Sequence, residues 1–284
     1  MRRHFFTFCL NCLLFFPLIG QAQFDLHFYA DVLVNAEQFE HRQLAQDSLV
    51  INIRKYLKKN LMLPQLLAPF GFVMSPDSTF QILSWQLMDE GAAERTFGLV
   101  YKIEDSTLIE LNDVSKFQSE QYFGSFLKNR WIGGVYTKLF PHPSIDSVFI
   151  AYGYNRINSY ETLYILEPIS VSGDVVTFGF PLFENSDGEV QDRLIWTVTN
   201  GAPNPIECAG DLSRIIAPHL AQVPYGKGVN RMINVPDGTY EYWEWDGELW
   251  RYNDRLYEQR FQKLIIDSSR TKETKRDIFG RKQR

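Results

Sequence analysis

The acidic and aromatic side chains crowded into Tyr240–Tyr252 are the residues of this chain best suited to chemistry. Glu241, Glu244 and Glu248 are interleaved there with Trp243, Trp245 and Trp250. Carboxylates beside indole rings suit a sugar-binding surface, and two carboxyl groups at the right separation hydrolyse a glycosidic bond. Trp243, Trp245 and Trp250 are therefore the candidate ligand surface. The same pattern also describes a solvated strand face beside rings that serve the core. Sequence alone leaves both readings open, because carboxylate pairing is spatial.

Other reactive groups are sparse. The chain has five histidines and three cysteines. His4 lies in the apolar leader, and His27 and His41 are far apart without an H-E-x-x-H pattern. His142 sits between Pro141 and Pro143, which predicts a turn. His219 alone lies beside plausible core residues. A zinc site would need distant ligands from such a set, so no metal is expected. Cys9 and Cys12 match C-x-x-C but fall inside the leader, where they read as apolar filler. Cys208 is then the one cysteine of the exported chain, and burial is its expected state. No G-x-S-x-G elbow, P-loop or G-x-G-x-x-G occurs, and no cofactor is expected. Tyr225-Gly226-Lys227-Gly228 reads as a loop. Asn185-Ser186-Asp187-Gly188-Glu189 is shorter than an EF-hand loop and reads as a hairpin turn.

Location is the strongest functional statement in the sequence. Arg2 and Arg3 precede a largely apolar run from Phe5 to Leu18, short of the about 20 residues of a membrane span. Gly20-Gln21-Ala22 then supplies small residues. This order predicts a secretory signal peptide over 1–22, cleaved after Ala22 or Gln23. Export to the periplasm or beyond follows, with no transmembrane segment left after cleavage. A retained N-terminal anchor is the alternative.

The formal net charge is −5. The leader and the tail are both basic, so the body between them is more acidic than the total. That balance argues against nucleic acid, whose affinity rests on Lys and Arg at phosphates. The basic tail, 258–284, reads as a solvated, flexible end. A weak contact with anionic lipid is its sharper reading.

The elements that must position these side chains fall into two zones. From Leu26 to Lys59 apolar residues recur every three to four positions, which predicts helix. One long helix, or two with a break near Asp47-Ser48, fits. After Pro69, short runs rich in β-branched and aromatic residues alternate with turn signals. They are Thr79–Gln86, Thr96–Ile103, Ile132–Leu139, Ser147–Gly153, Thr162–Val171, Val175–Phe180, Arg193–Thr199, Thr239–Trp245 and Glu248–Tyr252. Only Ser115–Leu127 offers a helical pattern between them. Such spacing predicts antiparallel pairing, not βαβ units. The last two runs form a hairpin around Asp246-Gly247, a two-residue type I′ signal. That turn sets Trp243 opposite Trp250 with Trp245 on the same face.

Several blocks, in order, resemble a family of uncharacterised, signal-peptide-bearing bacterial proteins. Val73 to Trp85, with Ser75-Pro76-Asp77, resembles its SPD…W entry. Trp131-Ile132-Gly133-Gly134-Val135-Tyr136 resembles its tryptophan-glycine-tyrosine strand, and Tyr152-Gly153-Tyr154-Asn155 its glycine turn. Phe178-Gly179-Phe180-Pro181 and Val235-Pro236-Asp237-Gly238-Thr239-Tyr240 are similar to two further blocks. The resemblance implies no catalytic role. Similar proteins show Asp-His-Leu where this chain has Pro218-His219-Leu220, so the acidic neighbour of His219 is missing in the sequence. Ser-Pro-Asp before a strand ending in Trp also resembles a β-propeller blade.

The expected architecture is α+β. A helical segment over 23–68 precedes an antiparallel β-rich domain over 69–257 and the tail over 258–284, with a propeller-like sheet arrangement as the lesser alternative. The expected role is non-enzymatic binding of a glycan or an envelope protein. The alternative is a hydrolase acting on glycan or peptide through paired carboxylates.

Overall fold

The structure, a computed structural model, describes residues 25–254 apart from residues 61, 67, 90–91, 115–125, 128–130, 201–205 and 226–231. The leader, the basic tail, most of Ser115–Leu127 and the glycines of Tyr225–Gly228 lie outside the described residues.

Two helices come first: α1 over residues 25–35 and α2 over Phe39–Leu57. The break falls at Ala36-Glu37-Gln38 and not near Asp47-Ser48. Arg42 explains part of this, because its Nη1 donates to the Ala36 carbonyl at 3.0 Å and so satisfies an orphan acceptor at the end of α1. The buried stripe of α1 is Leu26, Ala30 and Leu33, while Phe28 is 54% exposed. On α2 the stripe is Ala45, Gln46, Leu49 and Ile53.

Among the described residues sixteen strands follow, almost all antiparallel, in three sheets. Sheet 1 has the order β1 (Gly71–Met74), β2 (Phe80–Asp89), β3 (Ala92–Lys102), β4 (Leu108–Leu111). Sheet 2 runs β5 (Phe126–Leu127), β9 (Val175–Phe178), β8 (Glu161–Ser172), β7 (Phe149–Asn155), β6 (Val135–Pro141). The twelve-residue β8 pairs with β7 along one edge. Its other edge is shared by β9 at one end and β12 (Leu194–Thr199) at the other. Sheet 3 has the order β11 (Val190–Gln191), β10 (Phe183–Glu184), β16 (Trp250–Asn253), β15 (Met232–Trp245), β14 (Arg214–Pro224), β13 (Glu207–Cys208).

The layers stack in series. The helices cover sheet 1 through Leu49, Ile53, Leu83, Trp85, Leu99 and Tyr101. A second core between sheets 1 and 2 holds Ile82, Val100, Trp131, Tyr136, Ile165 and Phe178. A third, between sheets 2 and 3, holds Tyr152, Leu166, Trp196, Ile215, Trp243 and Trp250. Strand alternation decides which core each residue enters. On β12, Ile195 enters the second core while Leu194 and Trp196 enter the third. On β7, Phe149 and Ala151 face one way and Ile150 and Tyr152 the other. Sheet 2 is thus covered on both faces, and its strands read as near-continuous apolar runs. Among the described residues no core joins sheet 1 to sheet 3, as a closed ring of blades would require. The fold is α+β and β-rich.

A polar pair lies inside the second core. Arg193 and Glu167 are both fully buried, with Nη1 3.0 Å from Oε2. The other carboxylate oxygen accepts from the Tyr136 hydroxyl, which in turn accepts from Trp131 Nε1 at 2.7 Å. Gly179, at φ +80°, admits the guanidinium, since a Cβ there would lie 2.5 Å from Arg193 Nη2. The Phe178-Gly179-Phe180 block therefore has a packing reason.

The terminal hairpin departs from its expected register. Trp245 pairs with Trp250 and Trp243 with Tyr252, two residues away from the pairing that a two-residue turn would give. The cause is Asp246. Its Oδ1 accepts the backbone N–H groups of Glu248 and Leu249, both at 2.8 Å, and its Oδ2 accepts from Arg251 Nε at 2.6 Å. This side-chain-bonded turn holds a loop over Asp246–Leu249. A shift of two residues preserves the strand faces, where a shift of one would have exchanged them.

Candidate functional site

Sheets 2 and 3 pack together where β12 approaches β15. The cleft there has a volume of about 320 Å³ and is lined by Asn185, Gln191, Trp196, His219, Glu241, Trp243 and Tyr252, among others. Each wall has a local cause. Trp196 points toward sheet 3 because its neighbour Ile195 fills the second core. Asn185 belongs to the β10–β11 turn, where its Oδ1 accepts from Asp187 N at 3.0 Å and Glu189 N at 2.8 Å. That is the hairpin turn expected from Asn185–Glu189, with Gly188 at φ +80°.

His219 is placed by a bulge. Pro218 pairs with Tyr240 and Leu220 with Pro236, so His219 alone faces Asp237-Gly238-Thr239. Extra residues on one strand bend it and re-aim a side chain. Gly238, at φ +92°, supplies the left-handed backbone that the bulge needs. Asp237 Oδ1 accepts from Thr239 N at 2.8 Å and Thr239 Oγ1 at 2.7 Å, which leaves Oδ2 2.8 Å from His219 Nδ1. The acidic neighbour missing from the sequence beside His219 is supplied across the ladder by Asp237. The backbone N–H and hydroxyl of Thr239, then His219, hold the Asp237 carboxyl down at about 2.

Glu241 is the central group. Its Oε1 accepts from Trp196 Nε1 at 3.4 Å and its Oε2 from the Tyr252 hydroxyl at 3.0 Å. Burial pushes its carboxyl above the ordinary range, and the two donors only partly oppose this. Burial and the Glu241 charge push the Tyr252 phenol up in turn. The rings behind it are edge-packed: Trp196 on Trp243 at 5.3 Å and 87°, and Trp243 on Tyr252 at 5.3 Å and 67°. Trp243 Nε1 is satisfied by the Glu184 carbonyl at 2.7 Å.

The three tryptophans expected to form one ligand surface divide among different environments. Trp250 is fully buried, stacked on Phe183 at 5.0 Å and bonded through Nε1 to the Leu212 carbonyl at 2.8 Å. Trp243 is 4% exposed and contributes an edge to the cleft. Trp245 is half-buried, packed on Trp250 at 4.6 Å. They are core and cleft wall, because the hairpin packs against sheet 2. Glu244 lies outside the cleft, paired with Arg214 at 2.7 Å.

The remaining candidates are structural. His142 is buried edge-on between Trp245 and Trp250 at 5.0 and 5.3 Å. Its Nδ1 accepts from Ser144 N and Ile145 N, and burial lowers its pKa. Cys208 is half-buried, and burial raises its thiol to about 11, which makes it a poor nucleophile. Among the described residues no group of three or more His, Cys, Asp or Glu side chains is arranged to hold a metal, and no helix is long and apolar enough to cross a membrane. Reading the sequence found Glu241 but missed Trp196, Tyr252 and the Asp237 partner, which converge from separate strands. No family model, curated protein or solved structure matches the chain.

Proposed function

We propose that this is an exported, envelope-associated binding protein that holds a saccharide in the cleft of Trp196, His219, Glu241 and Tyr252. The observation that carries the reading is Glu241. It is a half-buried carboxylate, oriented by an indole N–H and a phenol O–H, at the mouth of an open cleft edged by aromatic rings. Ligand sites combine an apolar, ring-lined wall with a few fixed polar groups in this way. Export rests on the leader's order of basic, apolar and small residues. The test is titration of the leaderless chain with oligosaccharides, followed by tryptophan fluorescence. Saturable change in the parent, lost in Tyr252→Phe and Glu241→Gln, supports the reading. No change with any oligosaccharide contradicts it.

Hydrolysis is the second reading, and one observation favours it. Neighbouring carboxyls are displaced in opposite directions, Glu241 up and Asp237 down to about 2, the pattern of a proton donor beside an ionised partner. Release of reducing ends or amines from glycan or peptide by the parent, and not by Glu241→Gln, would establish it. The binding reading expects no turnover.

A further inference from the structure

We propose that the group seated against Glu241 is a protonated amine, so that the saccharide bound in the cleft is an amino sugar. This rests on the cleft being the ligand site. A carboxylate offers about four acceptor positions, and Trp196 and Tyr252 take one on each oxygen. Acceptor capacity therefore remains on both oxygens for a donor arriving from the cleft.

The charge around Glu241 selects which donor. Four other glutamates each meet an arginine: Glu167 with Arg193, Glu244 with Arg214, Glu110 with Arg54 and Glu184 with Arg251. Among the described residues Glu241 meets the neutral donors Trp196 and Tyr252 and, farther off, His219 and Asp237. Among the described residues no Lys or Arg lines the cleft. Arg251, the residue before Tyr252, is already engaged by Asp246 and Glu184. Asp237, bonded to the cleft residue His219 and close enough for its charge to act on Glu241, adds a second carboxylate beside the cleft, so the field there favours a cation and opposes an anionic ligand. An ammonium would also meet the indole and phenol rings, which attract cations.

The titratable groups lining the cleft are Glu241, His219 and Tyr252; Asp237 stands on His219, and Glu184, whose carbonyl takes the Trp243 N–H, is paired with Arg251. The amine pairs with Glu241 only when that carboxyl is ionised. Affinity should therefore rise as pH rises through the elevated Glu241 pKa, and fall again once the amine loses its proton.

The experiment is isothermal titration of the leaderless full chain with a glucosamine oligomer and with its N-acetylated counterpart of equal length. The expected result is at least a tenfold preference for the free amine, which Glu241→Gln abolishes while Glu244→Gln retains it. The pH series on the parent chain keeps the proposal testable if Glu241→Gln does not fold. Equal affinity for both oligomers, with shifts at His219 in both, overturns the amine and leaves the cleft reading standing. Equal or tighter binding of a lysine dipeptide overturns the saccharide assignment. Binding of none of these probes overturns the inference, and silence from neutral oligosaccharides as well overturns the cleft reading.

Discussion

His219 Nδ1 lies 2.8 Å from Asp237 Oδ2 across the β14–β15 ladder. The pair exists because Asp237-Gly238-Thr239 bulges opposite a single residue, and Thr239 fixes the carboxylate that His219 meets. Replacing Thr239 by Val removes the hydroxyl bond and keeps the backbone one. The Asp237 pKa, now about 2, should move up toward the ordinary carboxylate range. A carboxyl carbon titration by NMR reads this directly, and an unchanged value would mean that the hydroxyl is not a partner.

Glu241 gives the stability a pH dependence of defined sign. Its folded-state pKa is raised by burial, so the folded chain holds this proton more tightly than the unfolded chain does. The contribution is fully present below the unfolded-state pKa and is lost as pH rises through the folded-state value. Glu241→Gln should flatten that part of the stability curve, so that the parent loses stability relative to the variant as pH rises through the transition. Urea midpoints across acid to neutral pH measure it. A difference that is constant with pH would count against a raised Glu241.

The buried Glu167–Arg193 pair predicts a sharp asymmetry between single and double replacement. Arg193→Met leaves an uncompensated buried carboxylate and should cost about 3–5 kcal/mol. Adding Glu167→Leu removes the stranded charge and should recover most of that loss. Chemical denaturation of the two variants decides it, and a double variant no better than the single one would show that the pair is not the source of the cost.

Trp243 is both cleft wall and core. Trp243→Ala should cost about 3–5 kcal/mol, as buried aromatic truncations do, and Trp250→Ala as much. Thermal unfolding measures both. A fully stable Trp243→Ala variant would mean that sheet 3 does not pack on sheet 2 through this ring.

Strands whose apolar residues are dense were legible from sequence. Thr162–Val171 became Glu161–Ser172, and Arg193–Thr199 became Leu194–Thr199. The eleven-residue β14 was missed. It carries Pro218 and Pro224 together with Arg214 and His219, which interrupt the run of β-branched and aromatic residues that marks the other strands. Among the described residues β13 pairs with β14 only at Ile215 and Ile216, and proline within a sheet is confined to positions that owe the ladder no donor. The helix break was misplaced because Ala36 looks helical, and only the long-range reach of Arg42 shows where α1 ends. The cleft was illegible for a similar reason. Trp196, His219, Glu241 and Tyr252 lie on four strands of two sheets, and register brings them together. The hairpin pattern did reveal the Glu241 neighbourhood, yet it could not show that Trp250 would be covered.

The central claim is that Glu241 anchors a ligand in this cleft. The most direct measurement is a calorimetric titration of the parent chain and of Glu241→Gln with a glucosamine oligomer at neutral pH, with both chains shown to be folded by near-ultraviolet circular dichroism. The account predicts saturable binding by the parent, weakened at least tenfold in the variant. Equal binding by two folded chains would contradict it.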